Sequence, residues 1–530
     1  MKIKEYIILY IFSIFFFYFI SLFIRVPGYM DSEYYFAQSL QISNGKGLVE
    51  PFIWNYLNDP STIPTPSFLF WMPIASLLGS IGLSIVNSDS FYIARIPFIV
   101  LAGSIPVFSA YFAEEFLPNK KAGWLSGCLA LFSGFYLPYL TITETFSPYM
   151  VLGGIFFLLV YKYSRDYVTN EKMYLYPLLL GVVIGAMTLT RSDGILWFVA
   201  GVITILTRKN KKLEEMELLR FRIASITIMF IGFIVLMFPW FMRNYLEFQT
   251  LFGPGNRHML WLTKYEDLFI YPSKILSSSR MLMMGFQKFF YDRIGAFVTN
   301  IQSIISVSSG IILVPFILVG IWKKRGQKIV ILTALMMIII IFVMSFVFPY
   351  AGERGGFFHS ASSVQILLWS VVPFGLDQVL KFFVIKRKWN LESSRKILSL
   401  TLILSMMIIT LHLLRQKIIY GQENSISWNM TLEEFVVINQ KIIEKTNDID
   451  GIVMVNDPPG YYIATGRRAV AIPYGDLATI LEVSKVFGVR YIALNRERED
   501  IKKYFNTEDI TRYHIRLLAE TGKYQVYAVD

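Results

Sequence analysis

Blocks of about twenty consecutive apolar residues recur along most of the chain, a length that can cross the hydrocarbon core of a bilayer as a helix. The first block follows Lys2 and Lys4 and lacks a small-residue cleavage site, so we expect a retained signal-anchor helix. The hydropathy pattern predicts about eleven crossings. The apolar blocks lie at residues 6–24, 91–112, 122–140, 146–161, 173–190, 192–207, 221–240, 302–322, 329–350, 362–380 and 397–415.

A further apolar block, residues 67–86, contains Pro73, and the basic residues decide its position. Loops rich in lysine and arginine face the cytoplasm. If 67–86 lies in the interface without crossing, all the basic clusters fall on the cytoplasmic side; if it crosses, they all fall outside. We therefore expect a juxtamembrane helix there. The basic clusters are Lys120-Lys121, Lys162 with Arg165, Arg208 to Lys212, Lys323 to Arg325, and Lys386 to Lys388.

This topology predicts a multi-pass plasma-membrane protein with a cytoplasmic N-terminus. A transmembrane domain spans residues 1–415, and two long loops, 25–90 and 241–301, face the exterior. The tail, 416–530, is polar and mixes helix and strand patterns: 451–455, 490–494 and 524–529 as strands, and 476–487 and 497–505 as helices. The fold class predicted is a mainly α, polytopic membrane helix bundle with a small extracytoplasmic α/β domain.

Composition agrees with a membrane location and excludes other classes. Of the 530 residues, 55% are hydrophobic and only 17% are charged, with a mean hydropathy of +0.50. The net charge of +12 does not indicate a nucleic-acid partner, because the basic residues cluster between apolar blocks, where they set orientation. The single cysteine, Cys128, excludes a disulfide framework and a cysteine-ligated metal cluster.

Acidic residues beside the membrane carry the candidate chemistry, since an ionisable group there is costly and calls for a reason. Asp31 and Glu33 directly follow the first crossing, and Glu144 lies in a polar break between two apolar helices on the same predicted side. Converging carboxylates can act as base and orienter, or Asp31 and Glu144 can bind a divalent metal ion. The structural alternative is that these residues cap or flank helix N-termini.

The order of these acidic loops resembles the GT-C glycosyltransferases, the superfamily of protein O-mannosyltransferases and the lipid A aminoarabinose transferase (glycosyltransferase family 39-like). In that superfamily one acidic residue follows the first helix and a second lies in the next exterior loop, positions matched by Asp31 and Glu144. Short motifs over about residues 1–415 add to the likeness: Asn44 to Gly47, Pro64 to Pro66, Trp71 to Pro73, Ala94 to Pro97, Leu189 to Gly194 and Pro239 to Tyr245.

The chain also departs from the family pattern. Many relatives have two adjacent acidic residues where this chain has Asp31-Ser32-Glu33, which leaves the role of Glu33 open. A lysine that precedes the prolines in the aminoarabinose transferase has no counterpart beside Pro64, so no phosphate contact is carried over there.

The resemblance implies a glycosyltransferase that moves a sugar from a polyprenyl-phosphate donor to an extracytoplasmic acceptor: a protein, a lipid or a glycan. Such a reaction needs a base for the acceptor, with Asp31, Glu144 and Glu33 as the candidates, and cations for the phosphate. Glycine-rich turns and arginines supply the second requirement. The candidate donor-binding residues are Arg95, Arg243, Arg257, His258, Arg354 and His359.

Other function classes fit the sequence less well. A transporter or lipid flippase is the alternative, but such proteins tend to show internal repeats and charges at the bilayer midplane, and neither pattern occurs here. The chain has no P-loop and no HExxH motif. Asp448-Ile449-Asp450 imitates a nucleotide-sugar motif, yet it precedes a predicted exterior strand and is read as a turn.

Overall fold

The computed structural model describes residues 1–165, 174–208, 214–421, 427–495 and 515–529. Within these ranges seven helices are long and apolar enough to cross a membrane. They confirm the polytopic helix bundle. The seven helical spans are Ile3–Ser21, Phe91–Phe116, Phe146–Ser164, Glu215–Phe248, Lys328–Val347, Pro349–Arg387 and Leu391–Tyr420.

The other four predicted crossings are shorter or interrupted. Block 122–140 forms the α-helix Lys120–Leu131 and then a 3-10 helix, Gly134–Thr141, which contains Pro138. Proline removes a backbone donor and breaks a regular helix. Blocks 173–190 and 192–207 become the short helices Leu175–Thr190 and Ser192–Leu206. Block 302–322 is divided between Phe286–Ser303 and Val314–Lys324 by a π turn.

The remaining α-helices are short and lie mainly in the long loops and the C-terminal region. They are Met30–Ser43, Ile74–Val86, Gly255–His258, Ser278–Met283, Thr431–Thr446, Pro458–Thr465 and Leu477–Phe487, while Phe357–Ala361 is a short segment within the span Pro349–Arg387. The predicted juxtamembrane block thus contains Ile74–Val86, and the predicted helix at 476–487 is confirmed. The helix predicted at 497–505 lies outside the described residues.

The C-terminal region contains a six-stranded sheet with strand order β2-β5-β4-β6-β8-β7. Strands β2, β5, β4 and β6 are parallel, and β8 and β7 add antiparallel. The predicted strands at 451–455, 490–494 and 524–529 are confirmed as β4, β6 and β8. The strands are β1 Val49–Glu50, β2 Phe52–Ile53, β3 Thr65–Pro66, β4 Ile452–Val455, β5 Ala469–Ala471, β6 Val489–Asn495, β7 Ile515–Thr521 and β8 Tyr524–Val529.

Helices cover both faces of this sheet. Successive strand residues point to opposite faces, so Val453 packs with Ile438 of helix Thr431–Thr446, whereas Met454 packs with Ile480 of helix Leu477–Phe487. Both apolar faces of the parallel strands are therefore buried, as in other α/β domains. The small α/β domain predicted from the tail is present.

The first long loop is built into this domain. Strand β2, at Phe52–Ile53, pairs in parallel with Ala469 and Val470 of β5. The sheet therefore takes its edge strand from residues some four hundred positions upstream, within a loop that the sequence assigned to the transmembrane domain. This pairing joins the loop between the first two crossings to the α/β domain.

Helix Met30–Ser43 lies between the membrane bundle and the sheet. On one side Ser39 Oγ donates to Ser76 O of helix Ile74–Val86 at 3.0 Å. On the other side Gln41 Nε2 donates to Tyr462 Oη of helix Pro458–Thr465 at 2.8 Å. The helix that begins the first long loop is thus held from both sides, and its first turn carries the candidate base.

Candidate active site

Three side chains from separate segments meet at the end of the bundle that faces the α/β domain: Asp31, Glu144 and His359. His359 Nε2 lies 3.7 Å from Asp31 Oδ2, and His359 Nδ1 lies 3.7 Å from Glu144 Oε1. One potential ligand atom from each residue lies within 4.8 Å of the others. The structure therefore brings the two predicted carboxylates together and adds His359, which the sequence had grouped with phosphate ligands.

Asp31 lies in the first turn of helix Met30–Ser43 and does not cap it. Tyr29 is the N-cap residue, and no side chain forms the cap hydrogen bond. The two acidic loops are fastened beside Asp31: Ser32 Oγ and Thr143 Oγ1 lie 3.0 Å apart, and Thr143 Oγ1 donates to Ser32 O at 2.9 Å. These bonds set the separation of Asp31 and Glu144.

Glu144 is held by hydrogen bonds to both of its oxygens. Its Oε1 accepts from Thr145 N at 2.6 Å and from Thr145 Oγ1 at 2.8 Å, and its Oε2 accepts from Tyr29 Oη at 2.7 Å. The Glu144 side chain is 1% exposed, whereas that of Asp31 is 31% exposed. Among the described residues no donor hydrogen-bonds the Asp31 carboxylate. Glu144 is thus fixed, and Asp31 is open to a ligand.

His359 reaches the cluster from the break between two apolar helices. The π turn Gly352–Gly356 precedes it, and Gly355 adopts φ +118° there, a conformation that favours glycine. The imidazole stacks on the Phe146 ring, with centroids 4.2 Å apart and planes 25° apart. Its Nδ1 lies 3.4 Å from Thr145 Oγ1. Packing and this contact orient the ring toward both carboxylates.

Arg191 is the charged neighbour that the sequence analysis did not select. It lies between helices Leu175–Thr190 and Ser192–Leu206, where Arg191 Nε contacts Asp193 Oδ1 at 3.0 Å. Burial raises the pKa of Asp31 well above its ordinary value, Glu144 raises it further, and Arg191 lowers it. Burial also raises the pKa of Glu144, whereas its hydrogen bonds and the charge of Arg191 lower that pKa. In the sequence, the feature that could have indicated Arg191 as a site residue is its place in a polar break between two short apolar helices.

Glu33 points away from this cluster. Two residues along a helix are separated by a rotation of roughly 200°, so the side chains of Asp31 and Glu33 leave opposite faces. Glu33 is fully buried beside Asp457, which lies two residues after β4 and caps helix Pro458–Thr465. Burial raises the pKa of Glu33 well above its ordinary value, and Asp457 raises it further.

Arg95 and Arg243 are engaged in structural contacts. Arg95 is 1% exposed and donates through Nη1 to Ile24 O at 2.6 Å, the carbonyl just after the first helix. Arg243 donates through Nη2 to Ser67 O at 2.7 Å and lies 5.2 Å from the Trp240 ring centroid. Arg95 therefore holds the end of the first crossing and Arg243 holds the first long loop, and neither belongs to the carboxylate cluster.

The other predicted phosphate ligands lie in two places. His258 Nδ1 contacts Leu57 O, and Arg257 beside it is exposed. Arg354 is exposed and lies 5.3 Å from the Tyr265 ring centroid. The pKa of Tyr265 is raised to about 12, first by burial and next by the charge of Asp31.

Comparisons by sequence and by structure give different results. No protein-family model matches the chain, and a sequence search of characterised proteins finds no match. Solved structures do match. ArnT from Cupriavidus metallidurans in the apo state aligns over 100% of this chain and 98% of its own, with a TM-score of 0.61 and 11% identity.

Two further structures support the same fold. ArnT from the same organism bound to undecaprenyl phosphate aligns over 99% of this chain and 98% of its own, with a TM-score of 0.58 and 10% identity. The Archaeoglobus fulgidus oligosaccharyltransferase in complex with Zn and sulfate aligns over 92% of this chain and 68% of its own, with a TM-score of 0.57 and 13% identity. The resemblance to the GT-C fold is confirmed.

Proposed function

We propose that this protein is a glycosyltransferase that moves a sugar from a polyprenyl-phosphate donor to an acceptor outside the membrane. The observation that carries the proposal is the open carboxylate of Asp31, set beside a fixed Glu144 and His359 at the end of a membrane bundle. The likeness to ArnT with bound undecaprenyl phosphate supports the class of donor. The acceptor is a protein, a lipid or a glycan.

The reaction proposed is a single displacement with inversion. Asp31 accepts the proton of the acceptor group, and the acceptor atom bonds to the anomeric carbon. The bond from that carbon to the phosphate oxygen breaks, and its electron pair leaves with the polyprenyl phosphate. Phosphate is a good leaving group, so no strong acid is required. Burial raises the pKa of Asp31, so its carboxylate, when ionised, is a stronger base than that of an exposed aspartate.

The cluster is also suited to a divalent cation. Two carboxylates and an imidazole are a donor set that zinc and other transition metals accept, and the three candidate atoms lie within 4.8 Å of one another. Asp31, Glu144 and His359 would hold the ion. A bound cation would neutralise two neighbouring carboxylates and orient the acceptor. Asp31 has two carboxylate oxygens. One would hold the ion, and the other would remain free to accept the proton of the acceptor group.

The orientation proposed places the site and the α/β domain outside the cell. Basic residues predicted to be cytoplasmic lie beside the start of the first helix and the start of the last membrane-spanning helix: Lys120 Nζ is 3.8 Å from Glu5 Oε1, and Lys121 Nζ is 3.9 Å from Glu392 Oε1. Clusters of lysine and arginine stay on the cytoplasmic side. The opposite end of the bundle, with Asp31, then faces the exterior.

The test uses the purified full-length protein, polyprenyl-phosphate donors labelled in the sugar, and membrane extract as the source of acceptor. We expect label to leave the lipid and enter a new product. Loss of a general base lowers such rates by about 10²- to 10⁴-fold, so Asp31→Asn should abolish most transfer. Asp89→Asn is the matched control, because Asp89 also lies in the first long loop but bonds only to Asn44 Nδ2 at 3.1 Å among the described residues.

Two results would contradict the proposal. Full transfer by Asp31→Asn would remove the proposed base. Label that crosses the bilayer but stays on its lipid, with every donor tried, would instead identify a lipid transporter.

A further inference from the structure

The side chain of Lys417 is surrounded by aromatic rings near the candidate site. It belongs to the π turn Gln416–Tyr420, which ends the last membrane helix on the side of the α/β domain. Its Nζ donates to Tyr139 Oη. The same atom lies 4.1 Å from the Phe135 ring centroid, 4.6 Å from that of Tyr139 and 5.5 Å from that of Trp428. Three rings therefore surround one ammonium group.

Among the residues that the structure describes, no carboxylate forms an ion pair with Lys417; its contacts are the Tyr139 hydroxyl and the ring faces. Aromatic faces attract a cation but do not neutralise it, and a charge withdrawn from water without a counter-ion is costly. An anion that binds here would relieve that cost.

A lysine at a helix end can also extend into water, and its neighbour Arg415 behaves in that way. Arg415 is exposed, and its Nη2 donates to Tyr420 Oη at 2.8 Å on the outer surface of the same turn. Lys417 is directed instead toward the rings of other segments. Arg415, the last residue of the helix, and Lys417, in the turn that follows, point in different directions, so snorkelling explains Arg415 but not Lys417.

The same rings connect Lys417 to the carboxylate cluster. Tyr29 stacks on Trp428 with centroids 5.4 Å apart and meets Tyr139 edge to face at 5.5 Å. The Tyr29 hydroxyl donates to Glu144 at 2.7 Å. Gly28, at φ +87°, permits this arrangement, because a Cβ there would lie 2.6 Å from the Trp428 side chain. One aromatic wall thus borders both the ammonium and the carboxylates.

The last membrane-spanning helix is apolar up to the turn that carries Lys417. The last helix exposes an apolar stripe with helical spacing, at Leu400, Leu404, Ile408 and Leu411. The helical spacing of this stripe continues to Arg415, and Lys417 follows two residues later in the turn Gln416–Tyr420. A long hydrocarbon chain along the last helix would therefore place its headgroup at the level of the turn that carries Lys417. A lysine ammonium is a compact point charge that binds phosphate oxygens well.

We propose that Lys417 binds the phosphate of the lipid-linked sugar donor, an inference that rests on the proposed glycosyl transfer. The ammonium holds the anionic phosphate while the attached sugar extends toward Asp31, and it stabilises the negative charge that the leaving phosphate gains. The phosphate of an ordinary bilayer phospholipid shares this chemistry. The experiment must therefore compare the two lipids.

The test measures the dissociation constants of a polyprenyl monophosphate and of phosphatidylglycerol, with the full-length protein in phosphatidylcholine nanodiscs. Loss of one charge-assisted contact weakens binding by about tenfold or more, so Lys417→Met should do this for the polyprenyl monophosphate. Lys417→Arg should retain most of the affinity. Arg415→Met, which removes the cation at the end of the preceding helix, should bind like the parent protein. Thermal unfolding of each variant checks that it is folded.

Some outcomes overturn the inference. Parental affinity of a folded Lys417→Met variant for the polyprenyl monophosphate would do so, as would an equal loss for both lipids, which would indicate a general phospholipid contact. Absence of binding to the parent protein would overturn it together with the proposed donor.

The two proposals remain distinguishable through Asp31→Asn. We expect that variant to bind polyprenyl monophosphate like the parent protein and to transfer no sugar. If Asp31→Asn transfers sugar while Lys417→Met has lost lipid binding, Asp31 is not the base, and the proposed phosphate contact of Lys417 is still supported. In steady-state assays Lys417→Met should raise the donor KM by more than it lowers kcat.

Discussion

Replacing Tyr29 with phenylalanine tests whether the position of Glu144 matters for the proposed chemistry. The Tyr29 hydroxyl is the donor to Glu144 Oε2 among the described residues, because both Thr145 donors reach Oε1. Phenylalanine keeps the ring that stacks on Trp428 at 5.4 Å and removes only the hydroxyl. The change therefore isolates one hydrogen bond.

The burial of Glu144 sets the expected loss of transfer rate in Tyr29→Phe. Glu144 is 1% exposed, so water does not readily replace the lost donor. An unsatisfied buried acceptor costs about 1–3 kcal/mol. If Glu144 turns to find another donor, its Oε1 leaves its place 3.7 Å from His359. A penalty of that size expressed in the transition state lowers the rate by about 5- to 150-fold.

The assay is single-turnover transfer with saturating labelled donor, which reports the chemical step without product release. Tyr491→Phe is the matched control, since Tyr491 Oη also donates to a carboxylate, Asp448 Oδ2 at 3.0 Å, but within the α/β domain. It should affect stability and leave the single-turnover rate unchanged. If Tyr29→Phe transfers sugar at the parental rate, the fixed position of Glu144 is irrelevant to catalysis.

Three further predictions follow from the charges. Arg191 lowers the pKa of Asp31, so Arg191→Met should raise that pKa. The acid limb of the pH–rate profile, where the base becomes protonated, should then move to higher pH, and an unmoved limb would contradict this. If a cation binds, chelation should lower the unfolding temperature of the parent protein and not that of His359→Ala. Burial raises the pKa of both Glu33 and Asp457, so the Glu33→Gln variant should unfold at the parental temperature or above. Its transfer rate should stay within about tenfold of the parental rate, and loss of transfer would restore Glu33 as a catalytic residue.

Hydropathy was sufficient to predict the bundle, since a lipid-facing helix must be apolar over its whole length. It was insufficient where an apolar run contains a break. Block 122–140 contains Gly134 and Pro138, and the structure ends its α-helix at Leu131. Such irregular backbone is tolerated because the segment Gly134–Thr141 is mostly buried within the protein. Proline and glycine within the block were the signals to weigh against hydropathy.

The candidate site was predictable only in part. Asp31 and Glu144 could be paired because the topology placed both on one side. Glu33 could have been separated from Asp31 by helical geometry alone, since the structure has both in helix Met30–Ser43. His359 was assigned to phosphate because of its basic neighbour Arg354. Its true neighbours are carboxylates, and no local pattern in the sequence indicates which loop will meet which.

The α/β domain could serve the proposed transfer in two ways, by recognising the acceptor or by bracing the loops that carry the site. The contacts favour bracing. Strand β5 pairs with Phe52–Ile53, and Asp457 after β4 meets Glu33, so the domain holds the first long loop at two points on either side of residue 43. Glu33 lies one helical turn or less from Asp31 in the same helix. Restraining Glu33 therefore restrains the open carboxylate, and the domain acts on the proposed chemistry through the position of Asp31.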